Sequence, residues 1–435
     1  MDDAHQEPRP EPPSPVVEPS KPRLLKVLGP GFIAGASDDD PSGIGTYSQA
    51  GAQLGYALAW SMLFTFPLMT ATQMVSARIG RTTGRGLAGI LRQHYPGWLL
   101  HSIVLLVLTA NIINIGADLG AMADATRLVI GGPQVLYVIA YAVICMAMQI
   151  FLQYTRYVSV LKWLALVLLA YVATLFMAKV SWRKALTGLV IPHLGFDKDQ
   201  ITTFVAILGT TISPYLFFWQ AAQEAEDVRT MPRRRILKRA PEQGERALER
   251  IALDTVVGMA VSNLIAVAII LTCAATLHAS GVTTIETSAQ AAQALKPVAG
   301  ALAEAIFAVG IVGTGLMAVP VLAGSAAYAI GEARKWPIGL SRQPTEPQAF
   351  YGTIVLATLI GMGLNLTALD PIEALYWSAV INGVVAVPVM AVMMWLSASQ
   401  KVMGPFVVTG WLKALGWAAT AVMAVAVVAM AIVVL

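Results

Sequence analysis

Asp38-Asp39-Asp40-Pro41-Ser42-Gly43 interrupts the first apolar stretch of this chain, and Gly209-Thr210-Thr211-Ile212-Ser213-Pro214-Tyr215 interrupts the sixth. Inside hydrocarbon each unsatisfied backbone group costs several kcal/mol, so a spanning helix unwinds only where the freed carbonyls find a use. Proline removes a donor and clashes with the preceding turn, and the nearby Ser42 and Gly43 favour a break. Charged residues at that depth are expensive and mark functional positions. A carboxylate beside loosened carbonyls, facing a second break, is a ready place for a cation.

The composition places both breaks in a membrane. The chain has 435 residues, of which 57% are hydrophobic and 12% charged, against roughly 25% charged in a soluble domain. Eleven apolar runs are long enough to cross a bilayer, over about 27–48, 54–78, 99–127, 134–153, 158–179, 200–228, 249–274, 299–328, 350–367, 372–397 and 409–434. The basic residues sit mostly in the loops between them, a pattern of membrane topology and not of nucleic-acid binding. Cys145 and Cys273 fall inside spans and form neither a disulfide framework nor a CxxC motif. Residues 1–24 read as a proline-rich disordered cytoplasmic tail without the apolar core of a signal peptide.

Loop charges set the orientation. Lys21, Arg23 and Lys26, then Arg78, Arg81, Arg85 and Arg92, then the run from Arg229 to Arg246, then Arg334, Lys335 and Arg342 all fall on one side. The positive-inside rule makes that side cytoplasmic, which predicts a multi-pass protein of the cell's inner (plasma) membrane with its N-terminus inside and its C-terminus outside. Lys179, Arg183 and Lys184 are the exception and land outside. The run at 229–239 reads as a topogenic cluster in preference to a lipid or partner site.

Breaks in the first and sixth spans, five apart, point to an inverted repeat with its binding site at the repeat interface. The expected fold is therefore an all-α integral membrane protein of 5+5 inverted repeats. Repeat one covers 25–180, repeat two covers 199–398, and an extra helix at 409–434 completes a single transporter domain over 25–435. An odd repeat unit sets the halves in opposite orientation and so permits alternating access.

Asp40-Pro41-Ser42-Gly43 and Thr210-Thr211-Ile212-Ser213-Pro214 resemble the two breaks of the NRAMP divalent-metal transporters. Gln73-Met74-Val75-Ser76-Ala77-Arg78-Ile79-Gly80 with Thr83-Gly84, Asn114-Ile115-Gly116-Ala117-Asp118-Leu119, and Asn382-Gly383 with Pro388 are similar to that family's second, third and tenth helices. The resemblance spans roughly residues 25–400. It implies a LeuT-type fold of eleven transmembrane helices, with helices 1 and 6 broken and the ion held between them. It also implies a transporter and not an enzyme, with the metal as substrate and no cofactor.

The departures bear on the substrate. Where the family's proton-coupled Mn²⁺/Fe²⁺ members carry Asn in the first break, and Met and His in the sixth, this chain has Gly43, Ser213 and Tyr215. A further histidine position holds Gln220, and an acidic position one turn after Asp118 holds Ala121. The pattern looks like the NRAMP-related magnesium transporters. A thioether favours late transition metals, whereas Mg²⁺ prefers oxygen and keeps several waters. The expected metal residues are Asp40, Ser37, Gly43, Thr210 and Ser213, with all ligand atoms oxygen and room for Mn²⁺ as well. His5, His94, His101, His193 and His278 all lie away from the breaks; without a titrating imidazole, uncoupled flow is the simpler expectation.

Each candidate has a plainer reading. The Ser213 hydroxyl is as readily a partner of its own i−4 carbonyl. Asp38 and Asp39 either draw cations into a vestibule or are solvated at a helix end. Asn114 and Asp118, in register with Asn111, line an aqueous path or bond between helices. Tyr215, Gln220, Glu224 and Asn382 complete the possible permeation path, while Glu226 and Asp227 are expected to pair with nearby arginines. The partners are then a divalent ion and membrane lipid, no nucleic acid, and nothing that requires more than a monomer. The alternatives are a proton-coupled Mn²⁺/Fe²⁺ transporter and a cation-coupled amino-acid symporter on the same fold. An aspartate in the first break argues against an anionic substrate group there.

Overall fold

The computed structural model describes residues 29–152, 166–193, 195–231, 233–340, 347–367 and 370–434. The expected N-terminal tail lies outside these, as does the first part of the fifth span. Every regular element among the described residues is helical. The first span is two helices, α1 (Pro30–Asp38) and α2 (Pro41–Leu54). They are followed by α3 (Trp60–Thr83), α4 (Leu87–His94), α5 (Gly97–Ile130), α6 (Gln134–Phe151), α7 (Leu169–Met177) and α8 (Trp182–Val190). The sixth span is likewise divided, into α9 (Lys198–Thr211) and α10 (Pro214–Thr230). The long helices beyond it are α11 (Gly244–Thr276), α12 (Ala303–Arg334), α13 (Gln348–Leu364), α14 (Pro371–Ala398) and α15 (Gly410–Val434).

Seven described segments are long and apolar enough to cross a bilayer, and Gln348–Leu364 is a shorter apolar helix. Their exposure sorts them into layers. The most apolar stretch of the α9–α10 pair is wholly buried, whereas those of α6 and α15 are only 22% buried. The broken helices thus occupy the centre, and α6 and α15 present apolar faces outward, as a chain dissolved in lipid requires.

One boundary differs from the sequence reading. The apolar run at 54–78 suggested a helix starting near residue 54, but α2 runs on to Leu54 and α3 begins at Trp60. Gly55 ends α2 at φ +59°, a conformation open to glycine, and the run Ala57-Leu58-Ala59 disguises the turn as helix. Arg78, Arg81 and Thr83, read as span end and loop, belong to α3.

The first half-helix is seated directly on α11. A Cβ on Gly258 would lie 2.5 Å from the Gly31 carbonyl oxygen and 2.8 Å from the Phe32 Cα. Small residues allow this backbone approach, which is how helices associate without a hydrophobic driving force between them. Gly258→Ala is expected to destabilise the protein by about 2–3 kcal/mol, read as a lower thermal midpoint in detergent. An unchanged midpoint would mean that α1 is free to stand off from α11.

Candidate metal-translocation site

Helix α1 ends at Asp38. Asp39 leaves helical geometry (φ −82°, ψ 47°), Asp40 is extended (φ −68°, ψ 170°), and Pro41 opens α2. Local chemistry accounts for this. Proline suits the first helical position because it has no N–H to leave unpaired, and an aspartate just before it caps the new helix. The Asp40 Oδ1 accepts the Gly43 N–H at 2.7 Å. Gly43, expected as a metal residue in the break, therefore lies in the first turn of α2 and orients the carboxylate through its amide. Ser42 is helical as well, so the break precedes both residues.

The second break repeats the design. Thr211 ends α9, Ile212 (φ −122°, ψ 58°) and Ser213 (φ −77°, ψ 129°) leave the helix, and Pro214 restarts it. The Ser213 hydroxyl donates to the Gly209 carbonyl at 2.9 Å and the Thr210 carbonyl at 2.8 Å. The plainer reading of Ser213 is thus present in the structure: its proton is committed to the carbonyls that the break releases, one of them the expected Thr210 ligand.

The two breaks meet through Tyr215. Its hydroxyl lies 3.0 Å from the Ser37 carbonyl oxygen, to which it donates, and 3.3 Å from the Asp40 Oδ2. On the other side of Asp40, a Cβ at Gly43 would lie 3.2 Å from both the Thr210 Oγ1 and the Asp38 carbonyl oxygen. Tyr215 was expected along the path; the structure instead places its hydroxyl between the two oxygens that head the expected ligand set. Ser37, Asp40, Thr210, Ser213 and Tyr215 are all buried.

Asp38 and Asp39 are buried as well, at 1% and 3% exposure, which removes them from a solvated helix end. The Ser262 hydroxyl on α11 lies 2.7 Å from the Asp38 Oδ2 and 3.1 Å from the Asp39 Oδ1. Asp118 on α5 is fully buried; the Ser42 amide faces it without closing a hydrogen bond to either carboxylate oxygen. Among the described residues no Lys, Arg or His forms an ion pair with Asp38, Asp39, Asp40 or Asp118. Desolvating a carboxylate is costly unless positive charge or hydrogen bonds answer it, and here hydrogen bonds from the Gly43 amide and the Ser262 hydroxyl are part of the answer. Ser262→Ala is expected to cost about 1–3 kcal/mol, because it strips a donor from two buried carboxylates. A thermal melt with and without added Mg²⁺ checks this: the deficit is expected to shrink when the ion is present.

The remaining candidates divide. Asn111 donates to the Leu322 carbonyl on α12 at 2.9 Å, an interhelical bond, while Asn114 beside it finds no partner for either side-chain atom. Gln220 donates to Thr255 at 3.1 Å and leaves its oxygen unpaired, as does Asn382. Buried amide groups without a protein partner are groups that ordered water can satisfy. Glu224 is different: Arg250 grips its carboxylate at 2.6 and 2.5 Å, so it is a structural ion pair here and not a free vestibule acid. Asp227 pairs with Arg234 as expected, and Glu226 accepts from the Tyr328 hydroxyl and the Leu340 amide.

Sequence reasoning passed over Ser262, Arg250 and Asp254. Asp254 accepts three N–H groups at the start of α1, from Gly29 at 2.7 Å, Gly31 at 2.8 Å and Phe32 at 3.1 Å. A carboxylate placed within the apolar run 249–274 was the available signal, since ionisable residues inside spans carry function by default.

Among the described residues no three His, Cys, Asp or Glu side chains gather closely enough to hold a metal.

The same architecture occurs in known proteins. A crystallised manganese transporter of Eremococcus coleocola superposes with a TM-score of 0.71 over 96% of this chain and 90% of its own, at 17% identity. MhsT, solved in complex with L-phenylalanine, superposes at 0.59 with 14% identity. The fold is thus the LeuT type. In sequence, the divalent metal cation transporter MntH of Verminephrobacter eiseniae is 26% identical over 394 residues, covering 88% of this chain and 83% of that protein. The Klebsiella pneumoniae MntH is 26% identical over 410 residues, 92% of each. The relatives are named as transporters, not enzymes. Residues 31–433 match the natural resistance-associated macrophage protein-like family, a span that takes in both breaks, the buried carboxylates and nearly every helix, and the chain is a multi-pass membrane protein that belongs to the Nramp family.

Proposed function

We propose that this protein carries Mg²⁺, with Mn²⁺ as a second substrate, into the cytoplasm by alternating access and without proton coupling. The observation that carries the reading is the chemistry of the groups gathered between the breaks: the Asp40 carboxylate and the Ser37 carbonyl meet at the Tyr215 hydroxyl, and all three are oxygen. Mg²⁺ prefers oxygen ligands and keeps several waters, so it suits a hard donor set with a single strong anionic ligand. In this reading Asp40 supplies the charge, the Ser37 and Thr210 carbonyls and the Ser213 and Tyr215 hydroxyls supply neutral oxygens, and Gly43 holds Asp40 in place. The donor set is hard throughout. Met122, one turn beyond Asp118, has its thioether toward Gly315.

The driving force needs no proton. A dication moving inward across 100 mV gains about 4.6 kcal/mol, at roughly 2.3 per charge. The whole unit is one domain over 25–435 with repeats at 25–180 and 199–398, eleven spans, and the 229–239 arginine cluster on the cytoplasmic face of the inner membrane. One copy contains every group named here, and we take the transporting unit to be a monomer.

Influx of Mg²⁺ into proteoliposomes loaded with a pH-sensitive dye is the test. Uptake with a steady internal pH supports the proposal; uptake accompanied by acidification overturns the uncoupled mechanism. The relatives named as manganese and divalent-metal transporters favour a second reading, a proton-coupled Mn²⁺ carrier. Calorimetric titration separates the two: heat with Mn²⁺ and none with Mg²⁺ selects the second.

A further inference from the structure

The end of the bundle away from the arginine-rich loop contains a second charged feature, which metal transport does not use. Helix α8 lies across the α2–α3 connection, so close that a Cβ on Gly188 would come 2.9 Å from the Tyr56 Cβ. Beside this contact is an open cavity of about 510 Å³ whose walls include Tyr56, Arg183, Lys184, Thr187 and His193. Among the described residues no carboxylate lines it. The Trp60 indole donates to the His193 carbonyl at 3.3 Å and ties the far wall to α3. The same helix turns large apolar side chains outward: Leu186 is 57% exposed and Ile191, just beyond it, 58%.

Arg183 and Lys184 are the residues that break the positive-inside pattern. Basic residues on the translocated side work against the topology that the other loops impose, so their presence beside a cavity calls for another cause. A short helix with a basic edge and exposed apolar side chains lies in the membrane interface, where the charges meet headgroups and the apolar groups meet acyl chains.

We propose that this cavity binds the phosphate of an anionic phospholipid from the leaflet opposite the arginine-rich loop. Arg183 and Lys184 supply the positive charge. Tyr56 supplies a hydroxyl for the phosphate or glycerol oxygens, the Thr187 hydroxyl already donating to the Arg183 carbonyl at 2.8 Å, and Leu186 and Ile191 support the chains. The flanking apolar surface is what favours a lipid over free phosphate. The proposal does not depend on which dication the protein carries.

Native mass spectrometry of the full-length protein, released from detergent after titration with phosphatidylglycerol or with phosphatidylcholine of the same acyl chains, tests it. Phosphatidylglycerol is expected to be retained at least about tenfold better, and Arg183→Gln/Lys184→Gln to lower that retention about thirtyfold, some fivefold for each charge removed. The lipid contrast is read on the unaltered protein, so it stands even if the double variant misfolds. Equal retention of the two lipids overturns the proposal, as does unchanged retention by a folded double variant. Binding of inorganic phosphate without retention of phosphatidylglycerol overturns it too, by making this a soluble-anion site.

Discussion

Asp40→Asn is expected to reduce Mg²⁺ and Mn²⁺ influx into proteoliposomes by at least about a hundredfold, as is Asp40→Ala. Removing one partner from a buried charge interaction costs about 3–5 kcal/mol, which corresponds to two or three decades in binding. The two variants differ in what else they disturb. Asp40 also caps α2 through the Gly43 amide; alanine removes that cap, at about 1 kcal/mol, while asparagine retains an oxygen to accept it. If transport reflects ligation, the two variants fail equally and only alanine lowers the melting temperature. Should asparagine transport normally, Asp40 acts by capping, and the cation is held elsewhere.

The second large effect concerns the start of α1. Asp254→Ala removes the acceptor for the N–H groups of Gly29, Gly31 and Phe32, and hydrogen bonds to a charged group are worth about 1.5–3 kcal/mol each. It also separates α1 from Arg250, whose Nη1 lies 3.8 Å from the Asp254 Oδ2 while the same side chain grips Glu224. Asp254 thus latches the first half-helix to α11, and through Arg250 to α10. In the variant, deuterium exchange over residues 29–38 is expected to quicken at least tenfold, with exchange in α5 unchanged. Equal exchange in the variant and the parent would mean that α1 is held by its glycine contacts with α11 and that the latch is incidental.

Much of this could be read along the chain. The broken helices were legible because each break is written locally: both restart on a first-turn proline, Pro41 behind the capping Asp40 and Pro214 behind Ser213, whose hydroxyl bonds back to the carbonyls of Gly209 and Thr210. The error at Gly55 has the same origin, since a glycine turn within an apolar run leaves hydropathy unaltered. What escaped was pairing at a distance. Glu224 read as a vestibule acid because Arg250 is 26 residues away, on another helix. Asp38 and Asp39 read equally as vestibule acids or as solvated helix-end groups because Ser262, more than 220 residues on, looks like any serine in a span.

By itself the sequence determined that the chain lives in a membrane, that its first and sixth spans are broken, and that an aspartate and a serine stand at those breaks. These properties depend on the length of apolar runs and on backbone chemistry within a few residues. Only the tertiary structure decided that Tyr215 reaches the Ser37 carbonyl 178 residues earlier, that Asp38, Asp39, Asp40 and Asp118 are buried without a basic partner among the described residues, and that Asp254 accepts the N–H groups at the start of α1. Such contacts arise where glycine-lined helices press backbone to backbone, and which helices do so is a property of the whole packed bundle.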